Sequence, residues 1–158
     1  MLNNNQFRSH IIKPSLLPLD LWSPEAENLL VMTMAHESLG GTYLAQVGGP
    51  ALGIYQMEPA THNDIWATNL RGANDMYKVL ASKIMLSCNF LKQPYSEEMV
   101  SNLKYATIMA RIFYLRCPES IPSDISALGA YCKKYWNTSK GKATAAEYQT
   151  DYNRFISK

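Results

Sequence analysis

The sequence predicts a mainly α-helical domain of about six helices with one short, irregular β-hairpin. Apolar residues recur at three- and four-residue spacing through most of the 158 residues, which is the period of a helix with one buried face. Serine, threonine or aspartate precedes several of these runs, as N-cap residues do. Glycine is concentrated between residues 40 and 53, beside the clearest strand-like pattern. With 47% hydrophobic residues, a chain of this length buries roughly two thirds of its unfolded surface.

The clearest helix begins after Ser23 and ends near Glu37. Ser23 is a natural N-cap, and Pro24 suits the first helical position because its missing N–H would have no partner there in any case. One mostly apolar stripe runs along this helix: Ala26, Leu30, Thr33 and Glu37. Glu37 is therefore expected to point inward, and Gly40 and Gly41 offer the left-handed residue that ends helices.

The remaining elements follow in chain order from local signals. A β-hairpin is expected over residues 42–47 and 52–57, which flank Gly48-Gly49-Pro50. Helices are expected after Pro59, over residues 74–88, from Ser96 to Tyr114, after Asp124, and after the capping box that begins at Thr144. The helix from Ser96 is expected to be long and central. The helix over residues 74–88 is expected to bury one apolar face: Met76, Val79, Leu80 and Ile84.

Two regions are predicted along the chain. Residues 1–20, with Pro14 and Pro18 around Leu16-Leu17, are expected to form an extended arm that packs on the domain or on a partner. Residues 21–158 are expected to form a single domain, because no internal repeat and no low-complexity linker interrupts them.

Glu37 is the leading candidate for a catalytic residue. A carboxylate that is removed from water near the negative end of a helix is disfavoured as an anion, so its pKa should rise. A general acid that works near neutral pH needs such a raised pKa. The segment Gly53-Ile54-Tyr55-Gln56-Met57 follows soon after and carries a phenol and an amide. A carboxylic acid opposite such a segment suits a sugar-binding cleft.

Three short motifs resemble, in their order and approximate spacing, those of soluble lytic transglycosylases and goose-type lysozymes. They are Glu37-Ser38, then Gly53-Ile54-Tyr55-Gln56-Met57 with Pro59 two residues later, then Ala130-Tyr131. The resemblance covers residues 23–137, which is most of the chain. It implies an α+β lysozyme-like fold and a catalytic domain that cleaves the glycan strands of peptidoglycan.

The resemblance also implies roles for individual residues. Glu37 would protonate the glycosidic oxygen and then act as a base, and residues of all three motifs would bind the sugar: Ser38, Tyr55, Gln56, Met57 and Tyr131. The third motif departs from the family pattern, because Cys132 stands where an asparagine usually follows the Ala-Tyr pair. Asn137, one to two helical turns later, is the candidate source of the missing amide.

The predicted product depends on whether a second carboxylate takes part. Most glycosidases use two, and Glu58 is the candidate for the second. With Glu37 alone the intramolecular route is chemically simplest: its carboxylate takes the proton of the muramoyl 6-hydroxyl, and a 1,6-anhydro ring closes. This favours a lytic transglycosylase that cuts the β-1,4 bond between N-acetylmuramic acid and N-acetylglucosamine over a hydrolytic muramidase.

Two other interpretations remain open. The departure in the third motif is compatible with a lysozyme-fold virion protein that has lost catalysis. A basic, aromatic patch surrounds Tyr135-Trp136 and contains Lys133, Lys134, Lys140 and Lys142. Such a patch suits sugar stacking, carboxylate or phosphate binding, or a helical nucleic-acid-binding module. It is equally typical of a solvated helix end, where lysines are favoured. A net charge of +2 is too small to argue for nucleic acid by itself, so nucleic acid is not the expected partner.

No cofactor and no metal is predicted. A zinc-protease motif that began at His36 would need its second histidine at Gly40. The segment Gly141-Lys142-Ala143 lacks both the upstream glycine and the following serine or threonine of a phosphate-binding loop. The cysteines have no metal-ligand spacing and are expected to be reduced thiols: Cys88, Cys117 and Cys132.

The sequence also bears on location. No apolar run approaches the ~18 residues of a membrane span. The first residues contain no charged segment followed by an apolar one, so no secretory signal is expected. The protein is therefore expected to be made in the cytoplasm and to reach the cell wall after lysis or in a phage particle. Peptidoglycan is the expected partner, with other virion proteins as further candidates.

Overall fold

Helices supply the regular structure of this protein. The computed structural model describes residues 1–137 and 141–157, and its helix content of 63% confirms the mainly α class. The helices are α1 (Asn4–Phe7), α2 (Lys13–Leu16), α3 (Pro24–Glu37), α4 (Pro59–Asp64), α5 (Asp75–Ser87), α6 (Glu98–Ser101), α7 (Leu103–Leu115), α8 (Ile125–Cys132) and α9 (Ala145–Ile156). Wider π-helical turns continue three of them, at Arg8–Ile12, Ile65–Leu70 and Lys133–Asn137, and Leu17–Leu19 is a 3₁₀ turn. The described residues thus contain more helical segments than the six expected.

The prediction of an extended N-terminal arm is wrong. The chain is helical from Asn4 to Leu19, and its apolar side chains are part of the core: Phe7, Ile12, Leu16 and Leu19 are buried. Two local features permit this helical path. Asn3 caps α1 by accepting a hydrogen bond from the Gln6 N–H at 3.1 Å. Pro14 lies in the first turn of α2, where its missing N–H costs little.

The helix α3 agrees with its prediction along its whole length. The Ser23 hydroxyl accepts a hydrogen bond from the Ala26 N–H at 3.1 Å, and Pro24 is the first helical residue. The inward stripe is buried as expected and ends at Glu37, which is the last helical residue and is half-buried. The first left-handed residue after the helix is Leu39, with φ of 50°, and Gly40 follows with φ of 68°.

The predicted β-hairpin is not confirmed, because no strand forms in this segment. Residues 42–57 form a tight loop, and within the described chain the only β pairing is two isolated bridges, Ala45 with Leu52 and Leu52 with Met57. Left-handed residues interrupt the extended path, because Gly53 has φ of 73° and Gln56 has φ of 51°. A Cβ on Gly53 would lie 2.4 Å from the Met99 carbonyl oxygen, so this loop packs directly on the backbone of α6.

The buried face of α5 differs from the expected one. The helix begins and ends close to the predicted bounds, and Tyr77, Leu80 and Ile84 face the core. Met76 and Val79 are 58% and 57% exposed. The buried set also has helical spacing, and it includes the bulky Tyr77, which the predicted face left out.

The long helix predicted from Ser96 is two helices. Asn102, with φ of −105° and ψ of 90°, separates α6 from α7. Its side-chain oxygen accepts a hydrogen bond from the Tyr105 N–H at 3.0 Å, so it caps α7. The expectation of a central helix is correct for α7, since residues 105–110 are all buried.

The last helix, α9, packs against α3 and α8. Its start is the predicted capping box: the Thr144 hydroxyl accepts from the Glu147 N–H at 3.2 Å, and the Glu147 carboxylate accepts from the Thr144 N–H at 2.7 Å. Three aromatic side chains of α9 are buried: Tyr148, Tyr152 and Phe155. This packing brings one face of α9 beside Glu37.

Candidate active site

A cleft of about 610 Å³ opens at the C-terminal end of α3. Its walls come from the end of α3, the loop over residues 46–58, the start of α4, the helix α7 and the π-helical turn Lys133–Asn137. The lining is chemically mixed and includes the carboxylates of Glu37 and Glu58, the amides of Gln46, Gln56 and Asn137, and the rings of Phe113, Tyr135 and Trp136. Hydrogen-bonding groups beside aromatic faces suit a polar ligand that has flat apolar sides.

The turn after Glu37 is held from several directions. The Ser38 hydroxyl donates to the Met34 carbonyl at 3.0 Å and accepts from the Gly41 N–H at 3.0 Å. The Leu2 N–H donates to the Gly40 carbonyl at 2.8 Å. A Cβ on Gly40 would meet side-chain atoms of Met1 and Phe155 at 2.7 Å and 2.8 Å, so only glycine fits there without a shift of its neighbours. The backbone that follows Glu37 is therefore fixed.

Burial raises the pKa of Glu37 above its usual value. Two neighbours oppose that rise: the Tyr148 phenol donates a hydrogen bond to Glu37 Oε1, and His36 contributes positive charge nearby. Burial is the largest of the three effects. The expected direction of the shift is therefore correct. A half-buried carboxyl with a raised pKa beside a cleft can donate a proton to a bound ligand.

His36 lies on the side of α3 that faces α9. Its Nδ1 is 2.8 Å from Asp151 Oδ2, and its ring lies 4.0 Å from the Tyr148 ring, centroid to centroid. The Tyr148 phenol reaches past His36 to Glu37. Four side chains from two helices thus form a continuous row from Asp151 to the cleft.

Cys132, the residue after Ala130-Tyr131, lies in the core and is not part of the cleft lining. Cys132 is fully buried, and its Sγ lies 3.8 Å from both the Thr33 hydroxyl and the Tyr114 phenol. The Thr33 and Tyr114 oxygens are 2.8 Å apart. Burial raises the pKa of the Cys132 thiol to about 12, so the thiol stays neutral. Cys132 thus belongs to a buried polar cluster with Thr33 and Tyr114.

Gln56 lines the cleft, as its predicted role requires. Its backbone is left-handed, and its Nε2 donates to the Gly53 carbonyl at 2.8 Å, which fixes the amide plane. Met57 also contributes to the lining, although only 3% of the residue is exposed. Glu58 is exposed at the start of α4 and lines the same cleft as Glu37.

Aromatic rings form one wall of the cleft. Trp136 is half-buried and packs against Phe113 and Tyr114, with ring centroids 4.7 Å and 5.2 Å away. Asn137 follows it, and its Oδ1 accepts from Lys133 Nζ at 2.8 Å, so the amide is anchored within the cleft lining.

Three residues with predicted substrate-binding roles lie outside the cleft lining, so these predictions are corrected. Ser38 is fully buried, and its hydroxyl is used by the turn after α3. Tyr55 is buried in the core, where its phenol lies 3.2 Å from the Thr107 hydroxyl. Tyr131 is buried, and its phenol donates to the Glu119 carbonyl at 3.0 Å. The hydroxyl groups of all three residues are used by partners within the protein.

Sequence reasoning missed Tyr148, Asp151, Gln46 and Thr61. Tyr148 has the spacing of a core residue, and it is fully buried, but 111 residues separate it from Glu37. No local pattern links the two residues, because their contact depends on how α9 docks on α3. Gln46 and Thr61 line the cleft without belonging to any motif.

The basic, aromatic patch is only partly a free surface. Lys133 Nζ donates hydrogen bonds to Asn137 Oδ1 and to the Gly141 carbonyl, the latter at 2.7 Å. Lys134 is paired with Glu119. Lys142 is exposed, and Lys140 lies outside the described residues. Two of the three described lysines therefore have partners within the chain.

Within residues 1–137 and 141–157, no group of three or more His, Cys, Asp or Glu side chains is arranged to hold a metal ion. In the same ranges, no helix has both the length and the apolar character needed to span a membrane.

Comparisons with known proteins give no match. No family model matches the chain, and no curated protein and no solved structure matches it either.

Proposed function

We propose that this chain is a lysozyme-like glycosidase that cleaves peptidoglycan and acts as a lytic transglycosylase. The proposal depends on one observation: the half-buried Glu37 carboxyl, with a raised pKa and a hydrogen bond from Tyr148, lies on the wall of a cleft large enough for sugar rings. The motif resemblance supplies the substrate class.

The geometry supports an acid role followed by a base role for Glu37. In its protonated form the carboxyl would protonate the glycosidic oxygen, and the bond to that oxygen would break. The carboxylate that remains would be stabilised by the Tyr148 phenol and by His36. It would then take the proton of the muramoyl 6-hydroxyl, and that oxygen would bond to the anomeric carbon.

The rest of the lining suits a glycan strand. Trp136 offers an aromatic face for a sugar ring. Gln56 and Asn137 hold amides at fixed positions, and fixed amides can recognise hydroxyl and N-acetyl groups. The chain would meet this substrate after cell lysis or after delivery in a phage particle.

A hydrolytic muramidase is the second candidate, and Glu58 favours it. This carboxylate is exposed in the same cleft as Glu37 and has no hydrogen-bond partner among the described residues. A free carboxylate across a cleft from a general acid can activate water.

The experiment that tests the proposal compares Glu37→Gln with wild type on purified peptidoglycan. The amide keeps the volume but cannot transfer the proton, so clearing should fall by ~10²–10⁴-fold or more. Glu25→Gln is the matched control, because Glu25 lies at the other end of α3, away from the cleft. Near wild-type clearing by Glu37→Gln would refute the role of Glu37.

Mass spectrometry of the digest separates the two candidates. A lytic transglycosylase leaves 1,6-anhydro ends, which are one water lighter and resist borohydride. Reduction of every muramic acid end would identify a muramidase, and Glu58→Gln should then abolish clearing. Wild-type protein that binds peptidoglycan without cutting it would identify a catalytically inactive binding protein.

A further inference from the structure

We propose that His36 and Asp151 form a positioning pair for Glu37, in which Asp151 fixes the His36 ring against Tyr148 and the ring holds the phenol on the carboxyl. The inference rests on the proposed function, because it concerns the orientation of the Glu37 carboxyl. None of the three motifs contains Asp151, and His36 enters them only as the neighbour of Glu37.

The contacts on each side of His36 support this role. Asp151 Oδ2 lies 2.8 Å from His36 Nδ1, so the ring can donate there and its plane is fixed. The opposite neighbour is the Tyr148 ring at 4.0 Å, tilted by 33°. The side chains of His36 and Asp151 are only 18% and 19% exposed. A pair this enclosed is held more firmly than a surface ion pair.

The position of Tyr148 explains why its phenol needs the His36 ring beside it. Its ring is fully buried, but its phenol must stay on one oxygen of a carboxyl that changes charge during the reaction. When Glu37 is protonated, the hydrogen bond from Tyr148 weakens because the acceptor is no longer an anion. The His36 ring then keeps the phenol in place for the return of the proton.

Other ionisable groups around this row are few. From α9, His36 is near Glu147 as well as Tyr148 and Asp151. The hydrogen bonds from Thr144 are the main cause of the lowered pKa of Glu147, and His36 adds a smaller effect. From α3 its neighbour is Glu37, and from α8 the buried Cys132 approaches Glu37. Among these groups, Asp151 is the one that makes a hydrogen bond to His36.

The test compares Asp151→Ala and Asp151→Asn with wild type by two measurements. The first is a carbon-13 NMR titration of the Glu37 carboxyl, assigned with Glu37→Gln, and the second is kcat and KM for peptidoglycan cleavage. In Asp151→Ala the Tyr148 phenol is no longer held on the Glu37 carboxyl. Because that hydrogen bond lowers the pKa of Glu37, the titration midpoint of Glu37 should rise. The value of kcat should fall roughly ten- to hundred-fold, because the Glu37 carboxyl is no longer held in its reactive orientation. The value of KM should not change, because substrate binding is unaffected.

The two variants distinguish position from charge. In Asp151→Asn an acceptor for the His36 N–H remains, so most of the lost kcat should return and the Glu37 midpoint should stay near that of wild type. Asn153→Ala is the control, because Asn153 is exposed on the same helix. An unchanged Glu37 midpoint in Asp151→Ala would overturn the pairing, and equal losses in both variants would overturn positioning. The titration needs no activity, so it still tests the pair if wild type proves inactive.

Discussion

Removal of the Tyr148 hydroxyl tests the link between α9 and the candidate acid. Tyr148→Phe keeps the fully buried ring and deletes only the hydrogen bond to Glu37. A hydrogen bond to a charged group contributes about 1.5–3 kcal/mol, whereas a bond between neutral groups contributes about 0.5–1.5 kcal/mol. The loss of stability in the variant should therefore depend on whether Glu37 is ionised.

The sign of that dependence follows from the pKa of Glu37. The phenol lowers this pKa, so its loss raises the pKa of the folded variant above that of folded wild type. Below the pKa of the free carboxyl, both proteins hold a protonated Glu37, and the difference in unfolding free energy should be about 0.5–1.5 kcal/mol. As the pH rises through the folded pKa, the difference should grow toward about 1.5–3 kcal/mol, or roughly 3–12 °C in Tm for a chain of this size.

Urea unfolding at pH 4 and pH 8 measures both values, provided that the m-values agree. Tyr152→Phe is the matched control, because its phenol lies one turn further along α9 and bonds to Asn28 and Arg8, both at 3.2 Å. Neither partner changes charge between these pH values, so the control should lose the same stability at both. An equal loss at pH 4 and pH 8 in Tyr148→Phe would refute the coupling to Glu37.

Four further outcomes are expected. Glu37→Gln should remove a pH-dependent stability term: because the folded pKa is raised, the wild type loses stability as pH rises through it, and urea unfolding of the variant should show no such loss. Gln56→Ala should weaken peptidoglycan cleavage, measured by release of soluble muropeptides, while unfolding changes by no more than about 1.5 kcal/mol; unchanged kinetics would remove Gln56 from the site. Clearing should survive EDTA, and a loss that zinc restores would contradict the metal-free mechanism. Gly53→Ala should lower Tm, because its Cβ would lie 2.4 Å from the Met99 carbonyl at a φ of 73°, whereas Gly48→Ala meets no atom within 4 Å and should cost less.

Local signals determined what could be predicted around Glu37. The N-cap, the proline and the apolar stripe of α3 are all within 15 residues of the carboxyl, and they predicted its inward direction and the rise of its pKa. The same reasoning placed the start of α9 at its capping box. These features depend on contacts between residues a few positions apart, so the sequence contains the information directly.

Long-range packing explains what the sequence did not predict. Ser38 and Tyr55 have polar groups that would suit a ligand, but tertiary contacts bury them and use their hydroxyls inside the protein. The loop at Gln56 takes a left-handed backbone at a residue other than glycine, which no propensity signals. Tyr148 and Asp151 acquire their roles only because α9 docks beside α3.

The docking of α9 also ties the chemistry of this protein to the completion of its fold. The turn after Glu37 is enclosed by Leu2 on one side and by Phe155 on the other, and these residues are separated by nearly the whole chain. A partly folded chain that lacks the docked α9 would lack the hydrogen bond from Tyr148 that helps to set the proton affinity of Glu37. Hydrogen exchange of the α9 amides and loss of cleavage should therefore follow the same opening event. If Glu37 is the proposed acid, a chain that has not yet docked α9 should not cleave peptidoglycan.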